Sequence, residues 1–454
     1  MNIKKVFAAM LLMLVTFIAD VAAQNYNGSW SGTLDAGQYS LTIVFNIEQT
    51  EAGLTATWDV PEQGAYDMPV SATITGNELN VDIPNAYASY HGTFVGDTLD
   101  GTFTQYGANF PLRMTRSGRK KSIRPQEEAI KADANKPYRC EDVTFTNDGI
   151  TFAGTLTLPD SGCCFPAVVL VAGSGPHDRD ETVFGHKPFL LISDALSRNG
   201  FAVLRYDERG VGDTEGGDPN APTEPLATDA MAALRYLKTR PEVDNANVGF
   251  LGHSEGGMIA IMNAAKYPNE VAFIVSMAGT GVSGFDLAMQ QVRLEAKAQG
   301  EEISDEVLAI SEEIFRIVAT EEDSVTLRNK LLPLYENPVL KEELQGMTAE
   351  QAVDMSIITK CVIQYDPTEN LKRVKCPMLA INGTLDYQVA CEENLAAIKR
   401  LVPHATVKAY DGLNHFFQTC DGWVGSSQYG LFQETMSPLV LEDVTEWLKS
   451  VVKK

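Results

Sequence analysis

The sequence is short of positive charge: its 454 residues carry 36 lysines and arginines against 60 aspartates and glutamates, a formal net charge of −24. Such a chain repels phosphate backbones and anionic lipid surfaces, which argues against nucleic acid as a partner. It also lacks any C-x-x-C pair among its seven dispersed cysteines, Cys140, Cys163, Cys164, Cys361, Cys376, Cys391 and Cys420. A zinc ribbon or thioredoxin-like redox centre therefore has no support, and no metal is called for. An odd count leaves at least one thiol over even in an oxidising compartment, and spacing does not select the pairs. Solenoid repeats and low-complexity tracts are missing too. So is any apolar run long enough to span a membrane, since Val6–Ile18 falls short of the roughly 20 residues required.

What is present is ordinary globular composition, 44% hydrophobic and 21% charged, in a chain about three times the ~150 residues of a comfortable domain. The short apolar run follows Lys4 and Lys5 and precedes Val21-Ala22-Ala23, the pattern of an export signal over residues 1–23. The expectation is a periplasmic or secreted protein.

Residues 24–117 read as an all-β unit. Leu41, Ile43, Phe45 and Ile47 alternate with Thr42, Val44, Asn46 and Glu48, the period of a half-buried strand. Glycine-centred turns recur at Gly76-Asn77, Gly96-Asp97 and Gly101. The segment around Gly28, Trp30 and Gly32 resembles the opening strand of small lipocalin-type barrels. This unit gathers no cluster of His, Cys and carboxylates, so it reads as a structural or docking domain, with ligand binding the other reading. Residues 118–136, with Arg119-Lys120-Lys121 and Arg124-Pro125, have no sustained apolar face and read as a linker.

From residue 137 to 454 the grammar changes to a hairpin around Asn147-Asp148-Gly149 and then to βα alternation. Short apolar runs at Ala167–Ala172, Phe201–Tyr206, Val248–Leu251, Val271–Met277, Met378–Ile381 and Ala405–Tyr410 are separated by helical stretches. That is an α/β fold, a doubly wound, mostly parallel sheet covered on both faces. Residues 279–368 break the rhythm with acidic helical periodicity alone and suit a helical cap.

Gly252-His253-Ser254-Glu255-Gly256 satisfies G-x-S-x-G, a weak signal by itself that is raised by the buried strand before it and the small-residue helix after it. Strand, sharp turn and helix push the Ser254 hydroxyl outward and leave the Glu255 N–H free for an oxyanion. A serine needs a base. Among six histidines, His415 follows the last core strand, whereas His404 precedes it and falls at the opposite end of the sheet. Asp386, after Met378–Ile381, is the acid expected to orient the imidazole, with Asp411 as second choice. The order Ser, Asp, His is that of α/β-hydrolases. Ser174, in Gly173-Ser174-Gly175-Pro176 after an early strand, offers the second oxyanion N–H; as a phosphate cradle this loop lacks the Walker lysine and the dinucleotide spacing.

With these residues in view, the chain from about Glu141 to Lys454 resembles the α/β-hydrolase superfamily, in particular its serine aminopeptidase-like branch of carboxylesterases. The likeness rests on the Ser174 loop with Asp178-Arg179-Asp180-Glu181, on Arg205-Tyr206-Asp207 with Arg209-Gly210 and Gly212, and on Gly252–Gly257. Gly383, Asp386 and Val389 match the acid segment, and Asn414-His415-Phe416 the histidine loop. Two positions depart: Ala172 stands where many relatives have histidine, and His177 where glutamine is common. The resemblance implies an acyl-serine mechanism, no cofactor, a cap that shapes the acyl pocket, and structural roles for Asp207 and Arg209. The expected function is a secreted carboxylesterase for short- to medium-chain esters, its partner a small-molecule ester. An exopeptidase acting on peptide N-termini and a binding protein with an inactive hydrolase half are the rivals. Oligomeric state is not written in the sequence.

Overall fold

A computed structural model of the chain describes residues 26–452 except 36–39, 51–52, 62–64, 106, 118–123, 301 and 345–346. The export-signal reading of residues 1–23 thus lies outside the described residues. The first unit is a meander of β1 (Gly28–Asp35), β2 (Ser40–Thr50), β3 (Gly53–Val60), β4 (Ala65–Thr75), β5 (Glu78–Ile83), β6 (Ala88–Val95), β7 (Thr98–Gln105) and β8 (Ala108–Ser117). Each strand pairs antiparallel with the next, and β8 returns to β1, where Trp30 faces Arg116. Closure follows from the alternation: every second residue, among them Ile43, Phe45, Leu79, Val81, Tyr90 and Phe103, is buried inside, and a closed barrel leaves no edge to aggregate. The seam is fastened by Arg116, whose guanidinium lies 4.5 Å from the centre of the Trp30 ring and donates to the Asn27 carbonyl.

A short helix, α1 (Pro125–Ala132), precedes the second unit. There β9 (Tyr138–Asn147), β10 (Ile150–Pro159), β11 (Phe165–Val171), β12 (Ala202–Tyr206), β13 (Val243–His253), β14 (Ile274–Met277), β15 (Met378–Gly383) and β16 (Thr406–Tyr410) form one sheet, in the order 16-15-14-13-11-12-10-9. The β9–β10 hairpin turns at Asp148 and Gly149, both at positive φ, the two-residue turn whose twist matches that of its strands. From β12 onward to β16 the pairing is parallel. Parallel strands are buried on both faces, which is why they read as continuous apolar runs. One face is covered by α3 (Thr223–Thr239), α4 (Glu255–Lys266), α11 (Thr368–Arg373) and α12 (Cys391–Leu401), through residues such as Leu234, Ile259, Leu371 and Ile398. The other is covered by α2 (Pro188–Arg198) and α13 (Pro438–Val451), through Phe189, Leu196, Val440 and Leu448.

Between β14 and α11 lie α5 (Gly284–Gln299), α6 (Asp305–Thr320), α7 (Ser324–Tyr335), α8 (Pro338–Glu343), α9 (Ala349–Ile358) and α10 (Lys360–Gln364). They carry a core of their own, with Ile314, Val318, Leu327, Leu331 and Val353 buried among them. The entry and exit of this insertion are pinned together. The Gly284 N–H donates to the Tyr365 carbonyl at 2.7 Å, and a Cβ on Gly284 would sit 1.9 Å from the Val362 carbonyl oxygen. Only glycine permits that approach, and it sets α5 and α10 over the carboxyl ends of β13–β15.

Candidate active site

β13 delivers Ser254 to a sharp turn, and α4 begins at the next residue. Ser254 has φ 52° and ψ −115°, a conformation that costs an L-residue of order 1–3 kcal/mol and persists only where its surroundings enforce it. The enforcement is visible in the flanking glycines. A Cβ on Gly252 would lie 2.0 Å from the Gly256 carbonyl oxygen, and one on Gly256 would lie 2.0 Å from that of Val171. The Ser254 N–H donates to Met277 at 2.8 Å, tying the turn to the end of β14.

Two further loops leave neighbouring strands. Asp386 follows β15 and is fully buried; its Oδ2 lies 2.8 Å from His415 Nδ1, and its Oδ1 accepts the N–H groups of Gln388 (2.8 Å) and Val389 (2.9 Å). A carboxylate held on both oxygens has one orientation, and so has the imidazole it holds. His415 follows β16 in a loop shaped by Asn414 Oδ1, which accepts from the N–H groups of Phe416 and Gln418. Leu385 N–H donates to Leu413 O at 2.9 Å, joining the two loops. Ser254, His415 and the loop after β11 line one cavity of about 420 Å³.

Other candidates lie elsewhere. Asp411 accepts from the Thr384 hydroxyl, away from His415. His404 is bonded to the Cys376 carbonyl at 3.2 Å, before β15, and His91 sits with Asn80 in the barrel. Asp207 holds Arg179 through three bonds, and Arg209 is paired with Asp229, so both knit loops. Among the described residues no group of three or more His, Cys, Asp or Glu side chains is arranged to hold a metal ion.

In the loop after β11 the Gly173 N–H is occupied by Glu181 Oε1 at 2.8 Å. The next N–H is that of Ser174, and the carbonyl of the same residue is bonded to His177 Nε2 at 3.0 Å. At the elbow, the Glu255 N–H opens α4 and has no preceding helical turn to accept it. The Glu255 side chain turns aside to the Thr223 hydroxyl, 2.5 Å away.

The structure also shows a pair that the sequence reading had passed over. His253 Nδ1 meets the same Glu181 Oε1 at 2.9 Å, and its Nε2 donates to the His415 carbonyl at 3.1 Å. Burial pulls the His253 imidazole down, but the Glu181 carboxylate more than offsets it, so the ring stands above the ordinary histidine range. Glu181 is pushed up by burial and pulled further down by His253. The two form a buried ion pair joining the elbow, the loop after β11 and the histidine loop. The Asp178–Glu181 run marked the segment, but nothing in its spacing singled out Glu181. Nearby, Glu208 accepts the His177 N–H at 2.9 Å, and burial pushes its carboxyl up to about 8.

The cavity wall is mostly apolar and aromatic, with Phe184, Met258, Tyr387 and Phe416 from the sheet side. The cap adds Leu287, Gln291, Val362 and Tyr365 and, among the described residues, no acidic one.

The family model for X-Pro dipeptidyl-peptidase (S15 family) matches residues 115–408. This chain belongs to the X-Pro dipeptidyl-peptidase (S15) family. The S15 match begins at the end of the barrel and stops in β16, before His415. The S15 chain is also 27% identical over 329 residues to the esterase EstD of Thermotoga maritima, spanning 71% of this chain and 72% of that one. It is 26% identical over 251 residues to a non-heme chloroperoxidase of Streptomyces lividans, covering 53% of this chain and 87% of the other. Among solved structures, a Pyrococcus furiosus esterase is 16% identical and covers 70% of this chain and 92% of its own, at a TM-score of 0.43. This S15 member is an α/β-hydrolase and a serine hydrolase.

Proposed function

We propose that the protein is an exported carboxylesterase that cleaves short- to medium-chain acyl esters through an acyl-serine intermediate. Ser254 Oγ attacks the ester carbonyl while His415 takes its proton, Asp386 holds the imidazole tautomer, and the N–H groups of Ser174 and Glu255 receive the oxyanion. His415 then protonates the leaving alcohol, and water releases the acid by the same route in reverse roles. The observation that carries this reading is the 2.8 Å Asp386–His415 contact, with His415 and a serine at φ 52° lining one apolar cavity.

The S15 family favours a second reading, an exopeptidase. A peptide N-terminus carries an ammonium group, and of the two carboxylates on the cavity wall Glu181 is committed to His253 and Glu255 to Thr223. An uncharged acyl group suits such a wall better. Hydrolysis of a chromogenic acyl series from acetate upward, with an Xaa-Pro anilide alongside and Ser254→Ala as control, decides between them. Turnover of short esters that falls with chain length is expected. Silence on every ester with turnover of the anilide replaces the esterase by the peptidase.

A further inference from the structure

Arg124 lies in the segment between the barrel and the sheet, outside every loop that carries the site. It is only 6% exposed. Its guanidinium donates to three backbone carbonyls: Nη1 to Phe432 at 2.9 Å, Nη2 to Phe184 at 2.9 Å and to Gly430 at 2.8 Å. Phe184 is on the cavity wall, itself at positive φ (50°), and Gly430 and Phe432 follow Tyr429 in the chain. The Tyr429 ring is fully buried behind the wall, with centroids 6.0 Å from Phe184, 5.3 Å from Phe416 and 6.1 Å from Tyr387.

The rest of the turn reinforces this contact. Gln126 Nε2 donates to Met436 O at 2.8 Å while its Oε1 accepts from Thr435 N at 2.6 Å. Glu127 Oε1 accepts from the Thr435 hydroxyl and from Lys187 N. The fixed fork of an arginine is suited to holding several carbonyls at once, where an ammonium would hold them less rigidly. The positive charge also has a neighbour to bias: His186, bonded to Thr435 and facing the Tyr429 carbonyl, is held down to about 3, first by burial and then by Arg124.

We propose that Arg124 is a specificity-positioning residue: by holding the Phe184 carbonyl to those of Gly430 and Phe432, it sets the aromatic wall against which the substrate chain lies. The reaction centre is untouched by this contact, so its loss alters which chain lengths fit rather than whether Ser254 reacts. The proposal rests on the acyl-serine reading above. It makes the segment read as a linker part of the pocket's support.

The test uses p-nitrophenyl alkylphosphonates of short and long alkyl chain on the full-length protein. Ser254 Oγ bonds to phosphorus, p-nitrophenolate leaves with the electron pair, and His415 takes the serine proton, so each labelling event is read as released nitrophenolate. For Arg124→Ala the ethyl probe is expected to label within about twofold of wild type and the hexyl probe about tenfold more slowly, the size of effect a displaced apolar contact produces. A general loosening of the fold would lower both rates by one factor. Equal factors, or no change in either, overturn the proposal. Should Arg124→Ala fail to fold, the same long-to-short ratio in Arg124→Lys decides the matter, with Gln126→Ala, which spares the Phe184 contact, expected to move the ratio less. A wild type that reacts with phosphonates but hydrolyses no ester removes the esterase reading and leaves this ratio test standing. A wild type inert to every phosphonate removes both.

Discussion

The barrel and the sheet unit bury their aromatic residues alike but treat charge differently. Inside the barrel wall the buried side chains are apolar, and its buried polar groups among the described residues are Ser29 and Asp59, satisfied with Asn46 on the outer face. The sheet unit buries Glu181, Arg205, Asp207, Glu208, Arg209, Asp229, His253, Asp386 and His415. Burying an ionisable group is costly unless it is paired, so a fold that does so repeatedly is holding those groups for some purpose. Several knit loops, as Asp207 and Arg209 do. Glu181, His253, Asp386 and His415 come together at the carboxyl ends of β11, β13, β15 and β16, where perturbed groups are most informative about function. The contrast accords with the proposed division, chemistry in one half and packing in the other.

The largest effect that tests this contrast is Ser254→Ala, expected to lower turnover on the order of 10⁶-fold with the thermal midpoint unchanged or raised, since Ala relieves no bond that the fold uses. Residual wild-type turnover in that variant would move the nucleophile elsewhere. Asp386→Asn comes next, with a fall of about 10⁴-fold in kcat expected from the wrong imidazole tautomer. A loss confined to KM would show that Asp386 merely shapes the pocket. In the other half, Trp30→Ala should destabilise the barrel by about 3–5 kcal/mol, by cavity formation and loss of the Arg116 contact, while kcat of the folded protein stays the same. Calorimetry with parallel kinetics checks this, and a matching drop in kcat would break the division of labour.

The smallest effect is one of pH. Glu208 carries a carboxyl raised from 4.5 to about 8, chiefly by burial and further by Glu255, Glu181 and Asp229. Between those values the unfolded chain has released a proton that the folded chain keeps, so stability falls as pH rises from about 4.5 to about 8. Glu208→Gln, uncharged throughout, should flatten that slope in thermal midpoints measured at pH 5 and pH 8. An unaltered slope would place the pH dependence with other groups.

Much of the fold was legible because period and punctuation are local. Leu41 to Ile47 announced a half-buried strand, and Asp148-Gly149 announced the hairpin, since only such residues take positive φ at low cost. Ser254, Asp386 and His415 were legible as candidates because each follows an apolar run that had to be a strand, and the ends of parallel strands gather at one edge of the sheet. Arg124 read as part of a basic linker, and in sequence it could not read otherwise: its three carbonyl partners lie 60 to 308 residues away. Glu181 and His253 were similarly opaque, since a carboxylate in an acidic run says nothing about which oxygen will meet which ring.

Periodicity, turn chemistry and the small-residue elbow, all set by the covalent order of the chain, determined that there would be a β unit, a doubly wound sheet and a serine on a strained turn between strand and helix. Only the tertiary structure decided how charges pair across loops, which N–H of the Gly173-Ser174 loop is already taken, and what stands behind the aromatic wall. Hydrogen bonds and ion pairs depend on distances of a few ångströms between groups far apart in the chain. Those distances exist only once the strands have been placed side by side.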